Sequence, residues 1–76
     1  MTGREIDCRG LPCPRPVIEL ARAIAEVAVG ETVEVIADDP AAAVDVPAWC
    51  RMRGQRYAGV ETAEDGTPTY RVQRVS

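Results

Sequence analysis

The chain of 76 residues contains no histidine, lysine, asparagine or phenylalanine, so every basic side chain is an arginine. Without histidine there is no imidazole to act as general base for a serine or cysteine nucleophile. Without lysine there is neither a Schiff base nor a P-loop. These absences exclude several large enzyme classes.

Positive charge is also in the minority. Nine arginines stand against twelve acidic residues, and the formal net charge is −3. A phosphate backbone repels such a protein unless its basic residues are segregated on one face. The candidates for that face are Arg51, Arg53 and Arg56 near Trp49 and Tyr57. Because aromatic residues make up only 4% of the chain, we rank direct nucleic-acid binding last among the candidate functions.

Length and composition predict one small folded domain that spans residues 1–76. Residues 1–7 do not resemble a signal peptide, and no later stretch is long enough to span a bilayer. The three cysteines are an odd number and cannot all pair within the chain. We therefore expect a cytoplasmic protein with free thiols and no membrane partner.

Hydrophobic periodicity predicts the element order βαβαββ. Strands are predicted at residues 4–8 and 32–37, and the apolar spacing from Pro14 onwards predicts a first helix that ends before Gly30. The last two strands, at 55–61 and 69–75, should form a hairpin.

Two details of the second half are also predicted. Asp65-Gly66 should turn the hairpin, since both residue types tolerate positive φ. Pro47 should interrupt the second helix, leaving a short turn over 40–44 and a main helix over 46–53 capped by Asp45. The predicted class is α+β, a two-layer sandwich with two helices on one face of a four-stranded mixed sheet.

The most informative segment is Gly-Leu-Pro-Cys-Pro-Arg-Pro at residues 10–16. Pro14 restricts Cys13 to the extended geometry of an N-cap residue, which places its sulfur at the positive end of the helix dipole. Because Pro14 and Pro16 lack N–H groups, we expect only a modest fall in the pKa of the Cys13 thiol. Cys13 is therefore the candidate catalytic residue.

The neighbours of Cys13 are predicted to support it. Gly10, Leu11, Pro14 and Pro16 form a rigid frame that should keep the thiol exposed. Arg9 and Arg15 flank the site and are candidates for docking a partner or stabilising an anion, although both could equally be solvated surface residues.

The other two cysteines are predicted to pack as small hydrophobic residues. Cys8 ends a strand, and Cys50 adjoins Trp49, for which a core position is expected. A reversible disulfide between Cys8 and Cys13, acting as a redox switch, is the alternative function. No metal site is predicted, because three cysteines without histidine give an incomplete ligand set.

The chain resembles the TusA/SirA-like sulfur carriers over residues 5–74. The resemblance rests on the Cys-Pro-x-Pro motif at 13–16 with Gly-Leu-Pro before it, Gly-Glu at 30–31, Asp-Pro at 39–40 and Asp-Val-Pro-Ala-Trp-Cys at 45–50. Arg15 stands where some members of this family have an acidic residue.

This resemblance implies a βαβαββ sandwich in which Cys13 accepts a sulfane sulfur as a persulfide and relays it to a partner protein. The implied donor is a cysteine desulfurase or a rhodanese-like sulfurtransferase. The implied acceptors serve tRNA thiolation, molybdenum-cofactor biosynthesis or sulfur oxidation. Such a protein is a carrier rather than a stand-alone turnover enzyme, and the transfer chemistry requires no metal or organic cofactor.

Overall fold

Six elements follow one another in the order βαβαββ in the computed structural model, which describes residues 2–76. They are β1 (Thr2–Asp7), α1 (Arg15–Ile24), β2 (Thr32–Ile36), α2 (Ala42–Arg53), β3 (Arg56–Thr62) and β4 (Pro68–Gln73). The predicted order and α+β class are confirmed. Over residues 2–76, neither helix is long and apolar enough to cross a membrane.

The four strands form one mixed sheet in the order β1-β2-β4-β3. β1 and β2 are parallel and are connected through α1, whereas β4 is antiparallel to both of its neighbours. The last strand of the chain therefore lies inside the sheet. The parallel pair places the carboxyl ends of β1 and β2 side by side at one edge, which matters for the site below.

The hydrophobic core lies between the helices and one face of the sheet. Leu20 of α1, Val33 and Val35 of β2, Val46 of α2 and Val72 of β4 are all 0% exposed. The core also contains Cys8, Trp49 and Cys50, as predicted for each. Apolar side chains from both layers thus account for the two-layer arrangement.

The opposite face of the sheet is charged. Arg71 of β4 lies between two carboxylates, with its Nη1 2.6 Å from Glu61 Oε1 and its Nε 3.5 Å from Glu34 Oε2. Strand residues alternate between the two faces, so the same strands that supply Val33, Val35 and Val72 to the core expose these charges on the other side.

Helix α1 ends at Ile24, about one turn earlier than the periodicity predicts. The Glu26 N–H donates to Ala23 O at 3.0 Å, which tightens the last turn, and Val27 then reaches the core. Arg74 Nη1 donates to Val27 O at 2.7 Å. Burial of Val27 and this bond favour a turn over a longer helix.

Helix α2 runs without interruption through Pro47, so the predicted break is wrong. Proline removes one intrahelical hydrogen bond, but Val46, Trp49 and Cys50 are buried on either side of it. Their packing outweighs that single missing bond. Asp45 consequently lies inside the first turn of α2, not at a cap.

The β3–β4 hairpin turns at Asp65-Gly66 as predicted, but through a longer loop than a two-residue turn. The Gly66 N–H donates to Ala63 O at 2.9 Å, and the Ala63 N–H donates to Thr67 O at 2.8 Å. Gly66 has a φ of 88°, whereas Asp65 keeps negative φ. Left-handed backbone is thus needed at the glycine alone.

A pair of substitutions on α1 tests the core. Leu20→Ala should lower the free energy of unfolding by about 3 kcal/mol, because Leu20 is 0% exposed and its removal leaves a cavity. Ile18→Ala, on the same helix but 40% exposed, should change it much less. Urea unfolding of both variants gives the comparison. An equal loss of stability in the two variants would contradict the burial of Leu20 and the exposure of Ile18 on α1.

Candidate functional site

Cys13 lies in the turn between β1 and α1, two residues before the helix. The Leu11 N–H donates to Cys8 O at 3.1 Å, and the Arg15 N–H donates to Pro12 O at 2.9 Å. The Cys13–Pro14 peptide bond is cis. The two backbone hydrogen bonds fold the Gly-Leu-Pro-Cys-Pro segment into consecutive tight turns at the end of β1.

The N-cap of α1 is Pro14, so the prediction that Cys13 is the cap is wrong by one residue. Pro14 O accepts the Ile18 N–H at 3.1 Å, which makes it the first carbonyl in the helical pattern. The Arg15 N–H is used by Pro12 O in the preceding turn and cannot be offered to the sulfur. Cys13 therefore stands outside the first turn of the helix.

The three cysteines have different environments. Cys13 is exposed, while Cys8 and Cys50 are 1% and 2% exposed, and all three are free thiols. Burial raises the pKa of both Cys8 and Cys50. Cys13 is thus the one cysteine that another protein can reach.

The predicted frame residues divide between surface and core. Leu11 packs against the core cluster and Pro16 is buried, whereas Gly10 and Pro14 are exposed. Gly10 has a φ of 80°, a conformation that residues with a side chain rarely adopt. Leu11 and Pro16 therefore anchor the turn on either side of Cys13.

The segment between β2 and α2 supplies the carboxylates that hold this turn. Asp39 Oδ2 accepts the Cys13 N–H at 2.9 Å, and both carboxylate oxygens of Asp38 accept the Gly10 N–H at 3.1 Å. Asp39 Oδ1 accepts the Ala41 N–H at 2.9 Å, so the same carboxylate also stabilises the start of α2. The two segments are connected because β1 and β2 are parallel neighbours.

The sulfur itself contacts a third carboxylate. Cys13 Sγ lies 3.0 Å from Asp45 Oδ2, with the thiol as donor. This hydrogen bond is the largest cause of a raised pKa for Cys13, followed by partial desolvation and by the charges of Asp45 and Asp39. The predicted fall in the pKa is therefore wrong, because a carboxylate acceptor stabilises the neutral thiol.

Sequence reasoning assigned these aspartates only to helix starts and did not connect them with Cys13. One available signal was the predicted βαβ order, because two neighbouring strands that are joined through a helix run parallel. Residues that directly follow two adjacent parallel strands lie at the same edge of a sheet, which would have placed Asp38 and Asp39 near the turn that contains Cys13. The contact between Asp45 and the Cys13 sulfur depends on a helix that continues through Pro47. The sequence did not predict that continuation.

The two flanking arginines are engaged elsewhere. Arg9 Nη2 lies 2.6 Å from Asp7 Oδ2, and its Nη1 lies 2.8 Å from Asp65 Oδ2 in the β3–β4 hairpin. Arg15 Nη2 lies 3.6 Å from Glu19 Oε2 on the same helix. The charged groups that act on the Cys13 thiol are carboxylates, not these guanidinium groups.

Metal binding receives no support from the described part of the chain. Within residues 2–76, no three cysteine, aspartate or glutamate side chains are grouped so that they could hold a metal ion. What the geometry offers is one exposed thiol on a turn fixed by backbone hydrogen bonds. Such a thiol can, as a thiolate, attack the sulfur of a disulfide or a persulfide.

Comparisons with known proteins agree on one family. A family model described as Sulfurtransferase TusA matches residues 4–74. A candidate sulfur carrier protein of Archaeoglobus fulgidus is 42% identical over 72 residues, covering 95% of this chain and 94% of that protein. A second candidate sulfur carrier of the same organism is 38% identical over 60 residues, covering 79% and 82%.

The fold also has a solved counterpart. The crystal structure of a SirA-like protein from Desulfitobacterium hafniense superposes with a TM-score of 0.81 and covers 96% of this chain and 99% of that chain. At 23% sequence identity, this likeness concerns the fold.

The role of Arg9 between β1 and the hairpin can be tested with acid. Its hydrogen bonds lower the pKa of Asp7 to about 2, and bonds from Thr67 and Arg9 lower that of Asp65 to about 2. A carboxyl group whose pKa is lowered by folding stabilises the fold at pH values above its ordinary pKa of 3.8. That stabilisation is lost as the pH falls towards about 2. Arg9→Gln should therefore reduce the loss of stability over this window.

The measurement is the urea midpoint at several pH values between 7 and 2. Arg53→Gln is the matched control, since Arg53 is exposed and forms no ion pair with the residues from 2 to 76. An acid dependence in Arg9→Gln as steep as in the control would show that these ion pairs do not stabilise the fold.

Proposed function

Since this chain belongs to the TusA sulfurtransferase family, a family of sulfur carriers, we propose that Cys13 is the residue that carries the sulfur, as a persulfide. A carrier needs a donor and an acceptor of sulfur. The observation that supports Cys13 is its exposure, because the other two cysteines are almost completely buried. Sulfur transfer between proteins requires that two sulfurs approach in line, which only an exposed thiol permits.

Loading is a displacement at sulfur. The Cys13 thiolate attacks the outer sulfur of a donor persulfide, a new bond forms between Cys13 Sγ and that sulfur, and the donor cysteine leaves as a thiolate. The proton lost by Cys13 neutralises the departing donor thiolate, so atoms and charge balance. No external oxidant or reductant takes part, because one persulfide is consumed and one is formed.

Unloading repeats the same chemistry with the roles changed. An acceptor thiolate attacks the outer sulfur of the Cys13 persulfide, and Cys13 leaves as a thiolate. Because a leaving thiolate departs faster when its pKa is low, the negative charges of Asp45 and Asp39 beside Cys13 disfavour its departure.

The donor that we propose is a cysteine desulfurase or a rhodanese-like sulfurtransferase. The acceptors that we propose belong to tRNA thiolation, molybdenum-cofactor biosynthesis or sulfur oxidation. Three free thiols fit a reducing compartment, and we propose that the relay operates in the cytoplasm. No feature of the site requires a cofactor for the transfer itself.

A docking role fits Arg15 better than Arg9. Arg15 is 53% exposed at its side chain and contacts Glu19 at 3.6 Å, which leaves most of its guanidinium free to meet a partner carboxylate. Arg9 already binds two carboxylates within this chain. We therefore propose Arg15 as a partner contact beside the sulfur and Arg9 as a structural link.

The sulfur-carrying residue can be tested by intact mass. Incubation with a cysteine desulfurase and cysteine should add one sulfur atom to the wild-type protein, with the added mass removed by a reducing agent. Cys13→Ser should gain none, because a hydroxyl cannot accept sulfane sulfur. Cys8→Ala and Cys50→Ala, which remove the buried thiols, should still load.

Unfolding curves provide the control that each variant is folded. Sulfur added to Cys13→Ser, or loss of loading in either alanine variant while its fold is intact, would refute Cys13 as the carrier residue. Loss of two hydrogens after mild oxidation, without sulfur loading by the wild type, would instead support the disulfide switch.

A further inference from the structure

We propose that Asp45 is a positioning residue that holds the Cys13 thiol in its neutral form in the free protein, and that a partner protein releases it by bringing a cationic side chain to the Asp45 carboxylate. This inference rests on the function proposed above. It adds a means by which partner binding controls the reactivity of the sulfur.

The first support is the position of Asp45. Its Oδ2 lies 3.0 Å from Cys13 Sγ, within hydrogen-bond distance for a thiol donor. Asp45 lies in the first turn of α2, directly before Val46, which is 0% exposed. Because the helix backbone is fixed by that core packing, the carboxylate is held against the sulfur.

The second support is the charge around the sulfur. Asp39 adds a second carboxylate, which accepts the Cys13 N–H at 2.9 Å, and both aspartates act to raise the pKa of the thiol. In the part of the chain from 2 to 76, no arginine forms an ion pair with Asp39 or Asp45. The nearby Arg9 and Arg15 bind other carboxylates. The negative charge at the site is therefore available to a cation from outside.

The hydrogen bond between Cys13 Sγ and Asp45 Oδ2 has the thiol as its donor. An ordinary carboxyl group binds its proton about 10⁴-fold more weakly than an ordinary thiol. A carboxylate therefore does not remove the thiol proton in the resting protein, whereas it readily accepts a hydrogen bond from it. The arrangement stabilises the thiol and disfavours the nucleophilic thiolate.

A partner cation reverses this preference. A guanidinium or ammonium group that binds the Asp45 carboxylate replaces the thiol as its hydrogen-bond donor, and its charge favours the thiolate. The thiolate can then attack the outer sulfur of the partner's persulfide, as described above, and the proton passes to the partner's departing thiolate. No further reagent is needed.

The loaded carrier should also lose its contact with Asp45. A sulfur bonded to a second sulfur has no proton to donate, so the hydrogen bond between Cys13 Sγ and Asp45 cannot form. A negative outer sulfur is in addition repelled by Asp39 and Asp45. Both effects direct the persulfide away from α2 and towards solvent, where a partner can reach it.

Alkylation of Cys13 by iodoacetamide as a function of pH tests the role of Asp45. Asp45→Asn should move the midpoint of the profile down by about one pH unit and raise the alkylation rate at pH 7 by roughly threefold, because the thiolate is more abundant but less nucleophilic. Glu64→Gln removes one negative charge at an exposed position in the hairpin turn and is the matched control, expected to match the wild type. An unchanged profile in Asp45→Asn, or an equal shift in Glu64→Gln, would overturn the role of Asp45.

The partner's cation is tested with two small disulfide peptides, one with arginines and one with glutamates beside the reacting cysteine. The folded wild-type protein should react at least about tenfold faster with the arginine peptide at low salt. Asp45→Asn should lose most of this preference, and Glu64→Gln should retain it. Equal rates for the wild type with both peptides, or the same preference in Asp45→Asn, would contradict the proposal.

These measurements involve no sulfur loading, which separates the two proposals. If the desulfurase loads Cys13 while Asp45→Asn behaves as the wild type, the role of Asp45 fails and the carrier function stands. If Asp45→Asn shows both expected effects but Cys13 never loads, the carrier function fails and the control of the thiol by Asp45 stands. If Asp45→Asn does not fold, the rates of the wild-type protein with the two peptides still test the proposal.

Discussion

The hydrogen bond from the Cys13 N–H to the carboxylate of Asp39 is the interaction on which the site depends. It connects the turn after β1 to the segment after β2, and the second oxygen of Asp39 accepts the Ala41 N–H at the start of α2. One carboxylate therefore holds both the turn that contains Cys13 and the start of the helix that carries Asp45. Without this link, only the Gly10–Asp38 and Cys13–Asp45 hydrogen bonds would, within residues 2–76, join the turn to the segment after β2 and to α2.

The sheet topology makes that interaction available. Because β1 and β2 are parallel neighbours, the segments that follow them lie at the same edge, and side chains that are 26 residues apart in the sequence come into contact. Leu11 and Pro16 anchor the turn in the core while Cys13 stays exposed. The result is an accessible sulfur on a rigid support, although its surroundings are negative and not positive.

The negative surroundings have a physical consequence for a carrier. A thiol that donates to a carboxylate is less reactive than a free one, which protects it from general alkylation and oxidation between transfers. The same carboxylates give the site a negative charge, which is complementary to a basic surface on a partner. In the proposed mechanism, selectivity for a partner and low reactivity in its absence have a common origin in the charges of Asp39 and Asp45.

The order of elements, the mixed sheet and the core positions of Cys8, Trp49 and Cys50 could be predicted from the sequence, because they follow from hydrophobic periodicity and local turn signals. The end of α1 could not, since it depends on burial of Val27 and on a bond from Arg74, 47 residues away. Pro47 was misleading for a related reason. Its local effect is a lost hydrogen bond, and only the packing of Val46, Trp49 and Cys50 shows that this loss is tolerated.

By itself the sequence predicted Cys13 as the sulfur-carrying residue, because the prolines around it favour an exposed turn before a helix through short-range steric constraints. Only the tertiary structure decided the electrostatic state of the sulfur. The dipole of α1 was predicted to favour the thiolate, but the helix begins after Pro14, and Asp45 reaches the sulfur from a different helix. Electrostatic interactions depend on distance in space, and those distances are set by how the strands pair, not by proximity along the chain.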